Sequence, residues 1–139
     1  MTVSLSNLSP DTISDREFVT VVRFASEWLG IPDHIDLNFE FEQVEDYKGF
    51  VHQTDCGNNE FIIVLSPSLS WEELVKTIIH EMVHVRQFVR KQRTGDVWMG
   101  VPVKVYETDY HNLPWEVEAF RLEEALFDQY VCPFLKEAS

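Results

Sequence analysis

From Phe18 onward apolar residues recur at helical spacing. Phe18, Val21, Val22, Ala25, Trp28 and Leu29 share one face, which predicts a helix. Ser14 with Glu17 has the form of a capping box at its start, and Gly30 and Pro32 end it. The period then changes. Ile35, Leu37, Phe39 and Phe41 alternate with Asp36, Asn38, Glu40 and Glu42, predicting a strand with one buried face. Residues 47–54 read as a second strand and Asp55-Cys56-Gly57-Asn58 as a turn. The unbroken apolar run Phe61–Leu65 reads as a more deeply buried strand.

Ser70 and Glu73 repeat the capping-box signature and open a long helix over about residues 71–93. Arg90, Lys91 and Arg93 fall in its last turn, where cations suit the helix dipole, and Gly95 caps it. Residues 96–112 have weak periodicity and read as a loop. Pro114 suits the first position of a third helix over about 114–130. Residues 1–13, rich in Ser and Thr with a Pro, read as a flexible arm. The order is helix, three-stranded sheet, helix, loop, helix: an α+β fold. At 139 residues, one domain spans 1–139.

Composition narrows the function classes. Apolar residues at 45% and aromatics at 13% suffice for one hydrophobic core and exclude a disordered chain. The formal charge of −13 would repel a phosphate backbone, which argues against a nucleic-acid partner and otherwise reads as a solubility feature. The first residues lack the basic and apolar regions of a signal peptide, and no segment approaches the roughly 20 apolar residues of a membrane helix. Cys56 and Cys132 read as unpaired thiols in a reducing compartment, so a cytoplasmic location is expected.

The chemistry concentrates in His80-Glu81-Met82-Val83-His84, an H-E-x-x-H motif. At about 100° per residue, Trp71, Leu74, Val75, Ile78, Met82, Val85 and Val89 form one face of its helix. His80, Glu81, His84 and Thr77 lie roughly 120° away, clear of that core face. His80 and His84 are one turn apart and can reach a single Zn²⁺. Glu81 lies beside them, placed to take a proton from a metal-bound water without ligating the metal. The alternative is a satisfied pair of surface histidines.

A catalytic zinc site needs a third protein ligand. On the third helix Trp115, Ala119, Leu122, Leu126 and Tyr130 form an apolar stripe. Glu116 projects between Ala119 and Phe120, inside the apolar arc, whereas Glu118 points toward solvent. A carboxylate among apolar neighbours needs a charged partner, which zinc would be, so Glu116 is the predicted third ligand. Glu123 shares its direction; it reads either as support for the site or as the stripe's edge. His111 is another possible ligand. Tyr106, Tyr110 and His111 lie where a donor to a tetrahedral intermediate could sit, or are loop residues without such a role. His34 and His52 are isolated and read as structural, and Cys56 has no partner histidine for nucleophilic work.

The H-E-x-x-H motif with Glu116-Val117-Glu118-Ala119 resembles the small gluzincin-like metallopeptidases. In that group an E-x-x-[AS]-D pattern on a following helix completes the site. The match also places the ligand at Glu116, but Phe120 stands where the pattern has Asp, which usually supports a ligand histidine. Either another residue supports that histidine here or the site is weaker. The chain is similar, over residues 15–130, to short peptidases of phages and bacteria of the ImmA-type group. The resemblance implies a zincin-like fold, a peptide or protein substrate and, for a phage protein, the host cytoplasm. By analogy with such folds, Phe61–Leu65 is the strand expected to pair with extended substrate. Two rival readings remain: a non-catalytic zincin-like module that binds a partner protein, and a metal-dependent hydrolase of a non-peptide amide.

Overall fold

The computed structural model describes residues 1–138 except 7–9, 44–45 and 55–58, with side chains through Pro133. The predicted turn at Asp55–Asn58, with Cys56, lies outside the described residues. In chain order the elements are β1 (Thr2–Leu5), α1 (Asp15–Leu29), β2 (Asp36–Phe41), β3 (Gly49–Gln53), β4 (Glu60–Leu65) and α2 (Trp71–Val89). The strands β5 (Arg93–Thr94), β6 (Val97–Trp98) and β7 (Val101–Pro102) follow, then 3₁₀ turns at Val105–Glu107 and Tyr110–Asn112, then α3 (Pro114–Ala138). Among the described residues the fold is α+β, with three α-helices and two small sheets.

The main sheet has four strands rather than the three expected, in the order β1-β2-β4-β3. The added strand, β1, falls in the segment read as a flexible arm and pairs in parallel with β2. Val3 and Leu5 are its partly buried side, packed against the core. On β2, Leu37, Phe39 and Phe41 are buried, as the alternation requires. The apolar run of β4 is central, parallel to β2 and antiparallel to β3. Both its edges are therefore satisfied, and the outer edge belongs to β3. That overturns the assignment of Phe61–Leu65 as the strand that meets an extended substrate.

The helix starts fall where the sequence places them, though only one capping box is complete. The Ser14 hydroxyl accepts from the Glu17 backbone N–H at 3.0 Å, but the Glu17 carboxylate accepts from the Trp71 indole rather than closing the box. Gly30 takes the left-handed conformation (φ 66°) that ends α1. At α2 the box is complete: the Glu73 N–H donates to Ser70 Oγ, and the Ser70 N–H donates to Glu73 Oε1.

Helix α2 is the centre of the molecule, packed against α1, α3 and the sheet. On its apolar face Leu74, Val75, Ile78, Met82 and Val85 are buried, with Trp71 and Val89 partly buried at the ends, and Ile79 and Val83 on its other sides are buried too. The motif face is therefore roofed rather than open, with α3 on one side and β3 on the other. Gly49 allows the approach of β3: a Cβ there would lie 2.8 Å from the Val64 carbonyl oxygen and 3.2 Å from Thr77 on α2.

The segment beyond α2 departs furthest from expectation. Lys91, not Gly95, takes the left-handed position after the helix (φ 55°). Gly95 instead turns β5 into β6, and Met99 and Gly100, both at positive φ, turn β6 into β7. Arg93 thus begins a strand instead of closing a helix. Among the described residues no helix is long and apolar enough to cross a membrane.

Candidate metal centre

His80 and His84 project from consecutive turns of α2, and Glu116 from the first turn of α3, to one point. His80 Nε2 lies 2.8 Å and His84 Nε2 3.2 Å from Glu116 Oε1. Three ligands at zinc bond lengths in a tetrahedron stand about 3.3 Å apart, so a modest outward movement of these atoms suits an ion. The three residues, with Glu81, are only 4–6% exposed. The buried His-His-Glu group can hold a metal ion; His111 is not part of it.

The far sides of both imidazoles are held, and hydrogen-bond logic fixes how. Gln87, fully buried one turn beyond His84, donates from Nε2 to the Trp115 carbonyl oxygen at 3.0 Å and to Glu118 Oε1 at 3.2 Å. A backbone carbonyl only accepts, so the amide's NH₂ end must face it. Its Oε1 therefore faces His84 and accepts from Nδ1–H at 2.8 Å, leaving the Nε2 lone pair aimed at the site. His80 Nδ1–H donates to Glu123 Oε1 at 2.9 Å, which leaves Nε2 as the nitrogen that would ligate a metal on losing its proton.

These contacts settle several sequence expectations. Glu123 is hydrogen-bonded to His80 rather than idle at the edge of the stripe. It takes the place left by Phe120, whose ring instead packs edge-on against His80 at 4.6 Å between centroids. Glu118 does not point to solvent: it is half-buried, with Arg86 Nη2 at 3.4 Å as well as Gln87. Gln87 was missed altogether. Its signal was positional, an amide three residues after His84 on the motif face.

Electrostatics follow from this crowding of carboxylates. Burial alone would lower the His80 pKa, but hydrogen bonds to Glu116 and Glu123 outweigh it and raise the value to about 9. Burial would raise Glu116, yet the two imidazoles bring it down to about 2. Without a metal the pair is thus an imidazolium–carboxylate ion pair, held where a cation belongs. Burial raises Glu81, opposed by His84 and His80. Glu81 has a heightened proton affinity beside the ligands while standing apart from them.

A cleft passes over the site in two lobes, of about 380 and 230 Å³, which share Tyr47, Gly49, Glu81 and Tyr110. His80 lines the larger and His84 and Glu116 the smaller. Of the three loop candidates, Tyr106 is fully exposed and lines neither lobe. His111 stacks on Phe120 at 5.1 Å in the larger lobe. Tyr110 stands at the junction, where burial and then the charges of Glu116 and Glu81 push its phenol well above the usual range, so it stays a donor. His34 and His52 are exposed, and Cys132 is a half-buried free thiol.

Fold and site together define a small α+β protein with a buried two-histidine, one-carboxylate centre. No family model matches the chain, and no curated protein or solved structure is significantly similar to it.

Proposed function

We propose that the protein is a zinc-dependent peptidase of the small gluzincin-like kind, acting on a peptide or protein. The observation that supports this most is Glu81. It is buried beside the two histidines and Glu116, belongs to neither supporting hydrogen-bond chain, and lines both lobes of the cleft. Burying such a carboxylate is costly, and a purely structural metal site has no use for it.

The donor set of two imidazoles and one carboxylate fits zinc, and Gln87 and Glu123 fix both tautomers as a ligand role requires. Zinc held there supplies a Lewis acid that polarises a carbonyl and brings the pKa of a coordinated water toward about 7. Glu81 receives the proton of the attacking water and can deliver it to the leaving amine. The phenol of Tyr110 donates to the carbonyl oxygen as charge develops there. The free edge of β3, with Gly49, Phe50 and Val51 in the smaller lobe, pairs with the extended backbone of the substrate.

Replacing Glu81 by Gln keeps the shape of the side chain and removes the base. Zinc content and fold should survive while peptide hydrolysis falls on the order of 10²–10⁴-fold. A Glu81→Gln protein as active as the parent would overturn the mechanism. A parent protein that binds zinc but cleaves nothing in a broad peptide library would favour the binding-module reading.

A further inference from the structure

Arg93 opens β5 and turns its side chain into the smaller lobe of the cleft. Its guanidinium carbon stands 4.0 Å from the centroid of the Trp115 ring and 5.5 Å from that of Phe88. Its Nε donates to the Gly95 carbonyl oxygen at 3.1 Å, across the turn that follows β5. A long, flexible side chain is thereby held in one place by two rings and a backbone anchor.

The charges of Glu116 and Asp96 act on it, but neither closes a direct ion pair. Among the described residues no carboxylate lies within ion-pair distance of Arg93, and its two terminal nitrogens have no acceptor. Four other cations in this acidic chain have a carboxylate within 4.0 Å: Lys48 has Glu73, Lys76 has Glu72 and Glu124, Arg86 has Glu118 and Lys104 has Glu107. Arg93 is also the one Lys or Arg lining the smaller lobe among the described residues, and it shares that wall with Glu116 and His84. The rest of the wall is largely apolar, including Phe50, Val51, Leu113 and Trp115. A planar fork of unpaired donors at one end of an apolar lobe matches a carboxylate carried next to an apolar group.

We propose that Arg93 is a specificity-determining residue that binds a carboxylate of the substrate on the smaller-lobe side of the scissile bond. This rests on the peptidase reading above. The carboxylate is either the C-terminus of the peptide, making the protein a remover of short C-terminal pieces, or an Asp or Glu side chain near the cleavage point.

Binding to the zinc-loaded Glu81→Gln protein tests this without turnover. Three probes are titrated by calorimetry: N-acetyl-Ala-Phe-Ala as the free acid, the same peptide as its C-terminal amide, and N-acetyl-Ala-Phe-Glu amide. A charge-assisted pair in the lobe should make one carboxylate peptide bind about 10-fold or more tighter than the neutral amide. The free acid being favoured identifies the C-terminus, and the Glu amide identifies a side chain. Adding Arg93→Gln should abolish the preference, and Arg93→Lys, which keeps charge but loses the fork, should retain part of it. Equal binding of all three peptides, no binding of any, or a preference that survives Arg93→Gln would overturn the proposal. In the last case the carboxylate sits on the metal. The two readings fail separately. Zinc-dependent cleavage of all three peptides at equal rates leaves the peptidase and removes Arg93, whereas carboxylate-selective binding without cleavage does the reverse.

Discussion

One wall of the cleft is made by α2 and the first turns of α3; the other, the hairpin wall, is made by β3 with Tyr47 before it and by Arg93, Val105, Tyr110, His111 and Leu113 of the segment 93–113, which holds three two-residue strands and two 3₁₀ turns. In the helical wall each histidine is fixed from behind by another side chain, and Gln87 ties α2 to the backbone of α3. In the segment behind the hairpin wall, outside the cleft lining, Met99 and Val101 are more than half exposed and Tyr106 is fully exposed. Its strands are held by few hydrogen bonds, and its turns rely on left-handed residues. The division has a physical sense. Metal ligands tolerate only small positional errors and belong on packed helices, whereas groups that meet a variable substrate can sit on less rigid structure. Arg93 and Tyr110, the two residues assigned to substrate, both belong to the second wall.

The charges of the helical wall should dominate how the metal-free protein responds to pH. His80 has its pKa raised from 6.5 to about 9, so its stabilising contribution is complete below 6.5 and lost as pH rises through about 9. Glu116 is lowered from 4.5 to about 2, so its contribution is present above 4.5 and lost as pH falls through about 2. Burial of Glu81 raises its pKa, which adds to the loss at rising pH. Chemical denaturation of the metal-free protein should therefore show stability falling between pH 6.5 and 9. The zinc-loaded protein, whose histidines are deprotonated ligands, should not show that fall. Equal stability of the metal-free protein at both pH values would mean that the ion pair does not form.

Smaller effects should come from the supports. Glu123→Ala and Gln87→Ala should each weaken zinc binding about 10–100-fold with the fold retained, because each frees an imidazole to turn. Unchanged affinity in both variants, measured against a competing chelator, would mean that the helix alone orients the ligands.

Parts of this organisation were legible in the sequence because they are periodic. The phase of α2 separated His80, Glu81 and His84 from the core face, and the phase of α3 turned Glu116 inward. The same wheel misjudged Glu118, since it gives a direction but not what lies across from it, here Arg86 and Gln87. Strand order is likewise tertiary information: the run at Phe61–Leu65 was recognisable as buried, but only pairing shows that β3 holds the outer edge. β1 was lost because four residues with a half-buried face carry little pattern. Two-residue strands carry none, which is why Arg93 read as the end of a helix.

The smallest expected effect lies in the segment behind the hairpin wall. Gly100 sits at φ 83° with nothing within 4 Å of where a Cβ would be, so Gly100→Ala tests backbone strain alone. It should cost about 1 kcal/mol of stability and leave zinc affinity unchanged. A loss of zinc affinity would show that the two walls are coupled.

The central claim is that Glu116 completes the metal site with His80 and His84. Zinc titration of the Glu116→Ala and Glu118→Ala proteins with a competing chelator tests it most directly. Loss of a ligand should weaken binding by more than about 100-fold in Glu116→Ala, beyond what loss of a supporting contact costs. Glu118→Ala, which removes one of the two acceptors of Gln87 Nε2 and the partner of Arg86 but no metal ligand, should stay within about 10-fold of the parent. Parental zinc affinity in Glu116→Ala would contradict the account.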